Sequence, residues 1–232
     1  MNSEDLTPEQ LSGAAVEVPD RSRFITRTYL HLFGAIAAFC GVEWLFFQTG
    51  VAELVLGVVV NTSWLVILGG FVLVSWIASH VAHRVESRAA QYAALGGFVV
   101  AEALIFVPLL FIAFRVAPEI VELAALVTLA AFGGLTAVAM LSGRDFSFLR
   151  TFLMWGGFVA LGTIVMGVAF GFELGTYFSM AMIAFAGASI LYDTSKILKT
   201  YPDDKHIAAA LELFASVALM FWYVLRFFLS RR

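Results

Sequence analysis

Seven long apolar stretches constrain the fold of this chain more than any other feature. Each approaches the ~20 residues that a helix needs to cross a bilayer. With 61% hydrophobic and 13% charged residues, against about 25% charged in soluble domains, the sequence predicts an all-α integral membrane protein with seven transmembrane helices. The predicted limits are Thr28 to Gly50, Ser63 to His83, Gln91 to Phe114, Glu119 to Ser142, Phe148 to Phe170, Gly175 to Lys196 and His206 to Leu229.

The amino-terminal segment differs from the rest of the chain. It is acidic and polar, it contains Pro8 and Pro19, and it lacks the short apolar core of a cleavable signal peptide. We therefore predict a disordered cytoplasmic tail over residues 1–24 and a seven-helix transmembrane domain over residues 25–232.

Basic residues indicate the orientation in the membrane. Those in the tail and in the second, fourth and sixth connections are Arg21, Arg23, Arg27, Arg84, Arg88, Arg144, Arg150, Lys196, Lys199 and Lys205. Those on the opposite side are Arg115, Arg226, Arg231 and Arg232. The positive-inside rule then places the amino terminus in the cytoplasm. Because seven crossings would leave an Arg-rich carboxyl terminus outside, the seventh segment is predicted either to be central and shielded or not to cross fully.

Asp193, near the end of the sixth segment, is the carboxylate that most needs an explanation. An ionised carboxylate at membrane depth costs roughly 3 kcal/mol on insertion scales, so it needs a partner, a proton or a function. With a rise of 1.5 Å per residue, Asp193 is expected about 9 Å from the cytoplasmic helix end, Glu212 about 13 Å and Ser216 about 20 Å. Glu102, in the third segment, is expected close to the middle of the membrane.

Three stretches together resemble the bacterial type of the transmembrane Bax inhibitor motif (Bax inhibitor-1-like) family. They are Gly143-Arg-Asp-Phe-Ser-Phe-Leu149, Ile190-Leu-Tyr-Asp-Thr194 and the run in the seventh segment from Ala210-Leu-Glu-Leu-Phe214 to Leu225-Arg-Phe-Phe228. The resemblance covers about residues 24 to 230. It implies a multi-pass protein of the inner (plasma) membrane in which six helices surround a central seventh.

The resemblance also implies a pH-sensitive calcium leak. In that family, two aspartates share protons and control a pore, one ending the sixth helix and one in the seventh. Asp193 matches the first, whereas Ser216 stands at the position of the second and cannot ionise. An arginine near the end of the second helix approaches the first aspartate in one state, and Arg84 is the nearest match. These residues and Glu212 are the predicted proton-sensing and gating positions.

Glu212 lies one helical turn before Ser216, on the same face. We hypothesise that Glu212 replaces the missing aspartate and forms a mixed pair with Asp193, in which the two carboxylates cannot both ionise cheaply. Glu102 would add a third carboxylate for a hard cation such as calcium, which takes 6–8 oxygen ligands. The alternative is that Glu212 and Glu102 make only structural hydrogen bonds.

Other classes of protein are less compatible with the sequence. Residues 206 to 232 contain no lysine for a retinal Schiff base, and an aspartyl protease would need a second aspartate in the membrane. His80 and His83 share a face without a third ligand nearby, so no zinc site is predicted. We expect no enzymatic activity and no cofactor apart from calcium as the transported ion. Nucleic acid is excluded as a partner by the lack of a basic patch.

The expected partners are therefore the lipid bilayer, calcium ions and protons. One alternative belongs to a different class. Another branch of the same family modulates a membrane-anchored ATP-dependent protease by binding it, which does not require ion flux. Replacement of the second aspartate by Ser216 favours this regulatory role.

Overall fold

The computed structural model describes the backbone of residues 8–231 and the side chains from Arg21 to Arg231. Its secondary structure over these residues is helical. The helices are α1 (Pro8–Thr49), α2 (Val51–Asn61), α3 (Trp64–Arg84), α4 (Arg88–Val116), α5 (Glu119–Ser142), α6 (Leu149–Phe170), α7 (Thr176–Lys199) and α8 (His206–Leu229). Seven of them, counting the Arg21–Thr49 part of α1, are long and apolar enough to cross a membrane. The predicted seven-helix membrane fold is confirmed.

Two ends of the bundle can be distinguished by their contacts. At the first, which we call the basic face, Lys199 Nζ donates to the Gly143 carbonyl over 2.8 Å and the Phe146 amide donates to Ser195 Oγ over 3.2 Å. At the other, the far face, the hydroxyls of Thr176 and Ser230 lie 3.1 Å apart. The connections between α3 and α4, α5 and α6, and α7 and α8 all lie at the basic face.

Helix α8 is the centre of the bundle. Of its 24 residues, 15 are buried, and α1, α3, α4, α5 and α7 pack directly on it, while α6 packs on α7 and α3. The helix begins at the basic face and ends at the far face beside Thr176. The seventh segment therefore runs from one end of the bundle to the other and is shielded by its neighbours, as in the first of the two predicted alternatives.

The start of α1 differs from the predicted tail. Residues 8–24 are part of α1, whereas Met1–Thr7 lie outside the described residues. Phe24 is 2% exposed and stacks on Tyr201 with ring centroids 6.0 Å apart. Arg21 donates hydrogen bonds to the carbonyls of Ile197 and Tyr201 and to the carboxylate of Asp203. The packed part of the chain thus includes Arg21, which lies before the predicted domain start at residue 25, because its guanidinium binds the turn between α7 and α8.

The connection after the first crossing contains a helix that the sequence analysis did not predict. Gly50 has a φ of 79°, in the left-handed region that glycine adopts without strain, and α2 follows it. At 11 residues, α2 is shorter than the ~17 residues that a spanning helix needs. It packs on α1 and α4, and Ala52 is fully buried.

At Gly187, α7 packs closely between α5 and α8, and a larger side chain there is predicted to destabilise the fold. A Cβ at Gly187 would lie 3.3 Å from Leu135 Cδ1 and 3.6 Å from Met220 Cε. We expect Gly187→Leu to lower the free energy of unfolding by about 1–3 kcal/mol through overpacking. Unfolding of the purified variant in mixed detergent micelles measures this. Gly97→Leu, at an exposed position with no atom within 4 Å of the added Cβ, is the matched control, and an equal loss in both variants would contradict the packing argument.

Candidate functional site

The deepest part of the site is a contact between α7 and α8. Ser216 Oγ donates a 2.6 Å hydrogen bond to Asp193 Oδ2, and the two residues are only 7% and 8% exposed. The serine that replaces the expected aspartate is therefore the direct neighbour of Asp193. It supplies one hydrogen-bond donor and no charge, so the carboxylate at this position is single and not paired.

Glu212 is bonded to Lys196 and His83 and not to its predicted partner, Asp193. Lys196 Nζ donates to both carboxylate oxygens of Glu212 over 2.9 Å, and His83 Nε2 lies 2.9 Å from Oε1. The predicted pair of Glu212 with Asp193 is not formed as a hydrogen bond, because Ser216 occupies the place beside Asp193. Glu212 lies about 6 Å nearer the basic face along α8. There it meets Lys196, which lies three residues after Asp193 and so on the same side of α7.

His83 joins α3 to Glu212. Its Nδ1 lies 2.7 Å from the carbonyl oxygen of Ser79, which can only accept, so Nδ1 carries a proton. Its Nε2 lies between the Glu212 carboxylate, whose two oxygens also accept from Lys196, and the Tyr201 hydroxyl, which can donate or accept. Glu212 is thus contacted by Lys196 of α7 and by His83 of α3, and His83 adds a second positive charge whenever both of its ring nitrogens are protonated.

Tyr201, in the connection between α7 and α8, contacts both His83 and Lys196. Its ring is 3% exposed, its hydroxyl lies 2.7 Å from His83 Nε2, and Lys196 Nζ is 4.6 Å from the ring centroid. Burial, followed by the nearby charges of Glu212 and Asp193, raises the pKa of the Tyr201 hydroxyl far above its ordinary value. Tyr201 therefore keeps its proton at any physiological pH and contributes a neutral hydroxyl.

We call His83, Lys196, Tyr201 and Glu212 the basic-face network. From the sequence, Lys196 was assigned only to topology, His83 was considered only for a zinc site that was rejected, and Tyr201 was given no role in the site. Lys196 could have been placed near Asp193 from the sequence, because its spacing puts it on the same helix face. The positions of His83 and Tyr201 beside Glu212 could not be predicted, because they depend on how α3 and the 200–205 turn pack.

Arg84 does not contact Asp193 in this structure, whereas the resemblance implied such an approach in one of two states. It lines a cavity of about 550 Å³ with His80, His83, Lys196 and Glu212. Among the described residues, no hydrogen bond or ion pair joins its guanidinium to Asp193. Arg84 is the last residue of α3, at the basic face, and Lys196 occupies the position between that face and Asp193.

Glu102 lies in a cavity that neither Asp193 nor Glu212 lines. Its side chain is 7% exposed and lines a cavity of about 390 Å³ that Ser216 also lines. Within the described part of the chain, no group of three or more His, Cys, Asp or Glu residues is placed to hold a metal ion. The predicted three-carboxylate calcium site is therefore not assembled. Asp193 is bonded to Ser216 and Glu212 is bonded to Lys196, whereas Glu102 has no such bond and lines the cavity.

Comparison with known proteins agrees with this architecture. A family model described as Inhibitor of apoptosis-promoting Bax1 matches residues 21–232. Uncharacterized protein PA2604 of Pseudomonas aeruginosa is 33% identical over 100 residues. That match covers 42% of this chain and 44% of the relative, so it spans less than half of either protein. The family match, in contrast, includes all seven helices that are long enough to cross a membrane, and the chain belongs to the Bax inhibitor-1 family of membrane proteins.

Proposed function

We propose that the protein is a pH-sensitive calcium leak of the inner membrane, with its amino terminus in the cytoplasm. The observation that carries this proposal is the buried Asp193 carboxylate, which is bonded to Ser216 on the central helix. A carboxylate at this depth is a cation-attracting and proton-accepting group, and its contact is with the helix that fills the middle of the bundle. The basic residues at the basic face support the cytoplasmic orientation.

The proposed gate has two states of α8. In one, the Asp193 carboxylate accepts from Ser216 and Glu212 accepts from Lys196 and His83, so α3, α7 and α8 are held together. Protonation of Asp193 removes the charge from its bond with Ser216, and charge-assisted hydrogen bonds are roughly twice as strong as neutral ones. Helix α8 is then held less firmly and a path for ions opens beside it. Glu212 acts in this scheme through Lys196 and His83 and not through a shared proton with Asp193.

The test is calcium flux into proteoliposomes made with the purified protein, measured between pH 6 and 8. We expect flux that varies with pH in the wild type and flux that no longer varies in Asp193→Asn, because asparagine cannot exchange a proton. Asp145→Asn is the control, since Asp145 lies in the exposed α5–α6 connection and is a hydrogen-bond acceptor for the Ser147 amide. An unchanged pH dependence in Asp193→Asn would contradict the role of Asp193.

Absence of flux at every pH would instead favour the regulatory candidate, a protein that binds a membrane-anchored protease. One observation supports that second candidate. Ser216 supplies no second carboxylate, and the charge of Glu212 is balanced internally by Lys196 and His83. The 200–205 turn, bound by Arg21, would then offer a fixed surface at the basic face.

A further inference from the structure

The cavity that Glu102 lines is enclosed mainly by aromatic and aliphatic side chains. It has a volume of about 390 Å³, within the roughly 300–1,000 Å³ of small-molecule sites. It lies where α3, α4 and α8 meet, and Ile164 of α6 lines one side. Trp64, Phe71, Phe106 and Trp222 contribute aromatic surface. The Phe106 and Trp222 rings meet edge to face with centroids 5.0 Å apart, and such packing gives the wall a defined shape.

Glu102 is the acidic group of this cavity. Its side chain is nine-tenths buried, with 7% exposure, and none of the hydrogen bonds or ion pairs among the described residues involves it. An ionised carboxylate without a partner is costly in an apolar site, so such a group either keeps its proton or ionises beside a counter-charge. Glu102 thus differs from Glu212, which is bonded to Lys196 and His83, and from Asp193, which accepts from Ser216.

We propose that this cavity binds a lipophilic organic amine, with the ammonium group on the Glu102 carboxylate and the apolar tail against the aromatic wall. An ammonium ion is attracted both by the carboxylate and by the faces of tryptophan and phenylalanine rings. Calcium fits less well, because it requires 6–8 oxygen ligands and the cavity offers few oxygen atoms. The proposal goes beyond the calcium leak and does not depend on it.

Arg226 is the other charged residue in the lining, and its position agrees with this assignment. Its Nη2 donates to the Leu174 carbonyl over 2.7 Å at the far face. Arg226 lies ten positions after Ser216 on α8, which corresponds to about 15 Å along the helix. The guanidinium therefore marks the far-face end of the cavity, and the amine is held nearer the middle of the membrane.

The chain contains a matched control for Glu102. Glu43, in α1, is also buried, with 6% exposure, and both of its carboxylate oxygens lack a hydrogen-bond partner. Glu43 does not line the cavity. Glu43→Gln and Glu102→Gln therefore make the same chemical change at two buried carboxyls, only one of which faces the proposed ligand.

The test is equilibrium binding of radiolabelled 2-phenylethylamine to the immobilised, detergent-solubilised protein, with micelles alone as the blank and neutral 3-phenyl-1-propanol as competitor. We expect saturable amine binding in the wild type and in Glu43→Gln, weakened about tenfold or more in Glu102→Gln. The alcohol should compete weakly and equally in all three proteins.

Ala215→Leu fills the cavity and should remove binding of both compounds. This variant replaces Glu102→Gln in the test if Glu102→Gln fails to fold. Equal amine affinity with and without the Glu102 carboxylate, or binding that survives Ala215→Leu, would overturn the proposal.

Discussion

Replacement of Glu212 by methionine is expected to lower the free energy of unfolding by about 2–4 kcal/mol. Breaking a buried ion pair on one side leaves an uncompensated charge and costs ~3–5 kcal/mol when the pair is fully buried. Here the side chains of Glu212, Lys196 and His83 are 23%, 30% and 30% exposed, so the loss is expected at the lower end. The variant would leave Lys196 and His83 next to each other without the carboxylate that both contact.

The measurement is unfolding in mixed detergent micelles followed by tryptophan fluorescence. The double variant Glu212→Met with Lys196→Met is the informative comparison, because removing both charges leaves no unpaired lysine. We expect the double variant to recover about half or more of the stability lost by Glu212→Met alone. If the losses from Glu212→Met and Lys196→Met simply add in the double variant, the ion pair described here does not contribute to stability.

Ser216→Asp is expected to give a protein whose stability falls steeply as the pH rises. Ser216 Oγ lies 2.6 Å from Asp193 Oδ2, so an aspartate there would face Asp193 directly, and two carboxylates at this distance cannot both ionise. The folded variant would retain one shared proton that the unfolded chain has released. Stability then decreases with increasing pH by at most about 1.4 kcal/mol per pH unit, above the range in which unfolded carboxyls titrate. Lys196 and Glu212 are the charged groups nearest this pair along the two helices.

Unfolding measured from pH 5 to 8 in Ser216→Asp and in Ser216→Asn tests this expectation. The amide is close in size to the new carboxylate but carries no titratable group, so Ser216→Asn should follow the wild-type pH profile. A similar pH profile in both variants would show that the new carboxylate does not share a proton with Asp193. Under the proposed function, Ser216→Asp should also show a steeper pH dependence of calcium flux than the wild type.

The fold could be predicted from sequence because its signal is local. Apolar runs of bilayer length place the seven crossing helices, and the basic residues in alternate connections indicate that the last crossing is unusual. Helix α2 was missed because its 11 residues after Gly50 are too few to span a membrane, and only spanning segments were predicted. The packing of Arg21 and Phe24 was missed because their partners lie about 180 residues away in sequence, as with Arg21 and Tyr201.

The candidate site was predictable only in part. The resemblance to a family placed Asp193 and position 216 together, and the structure brings these two residues into contact. Which residues Glu212 contacts depends on how α8 is rotated about its own axis, and the periodicity of the sequence does not determine that rotation to better than one turn. Estimates of depth along each helix favoured a pair between Asp193 and Glu212, but Lys196 and His83 approach Glu212 from the sides, and depth alone contains no information about direction.

The contacts of Arg21 have a consequence for the order in which this protein is assembled. The ribosome makes α1 before α7 and α8, yet the groups that Arg21 binds belong to residues 197–203. Two of these groups are carbonyls of the last turn of α7 and of the turn after it, where helix carbonyls lack intrahelical donors. The contacts of Arg21 can therefore form only after α7 and the turn that follows it have been made, so this part of α1 packs later than it is synthesised.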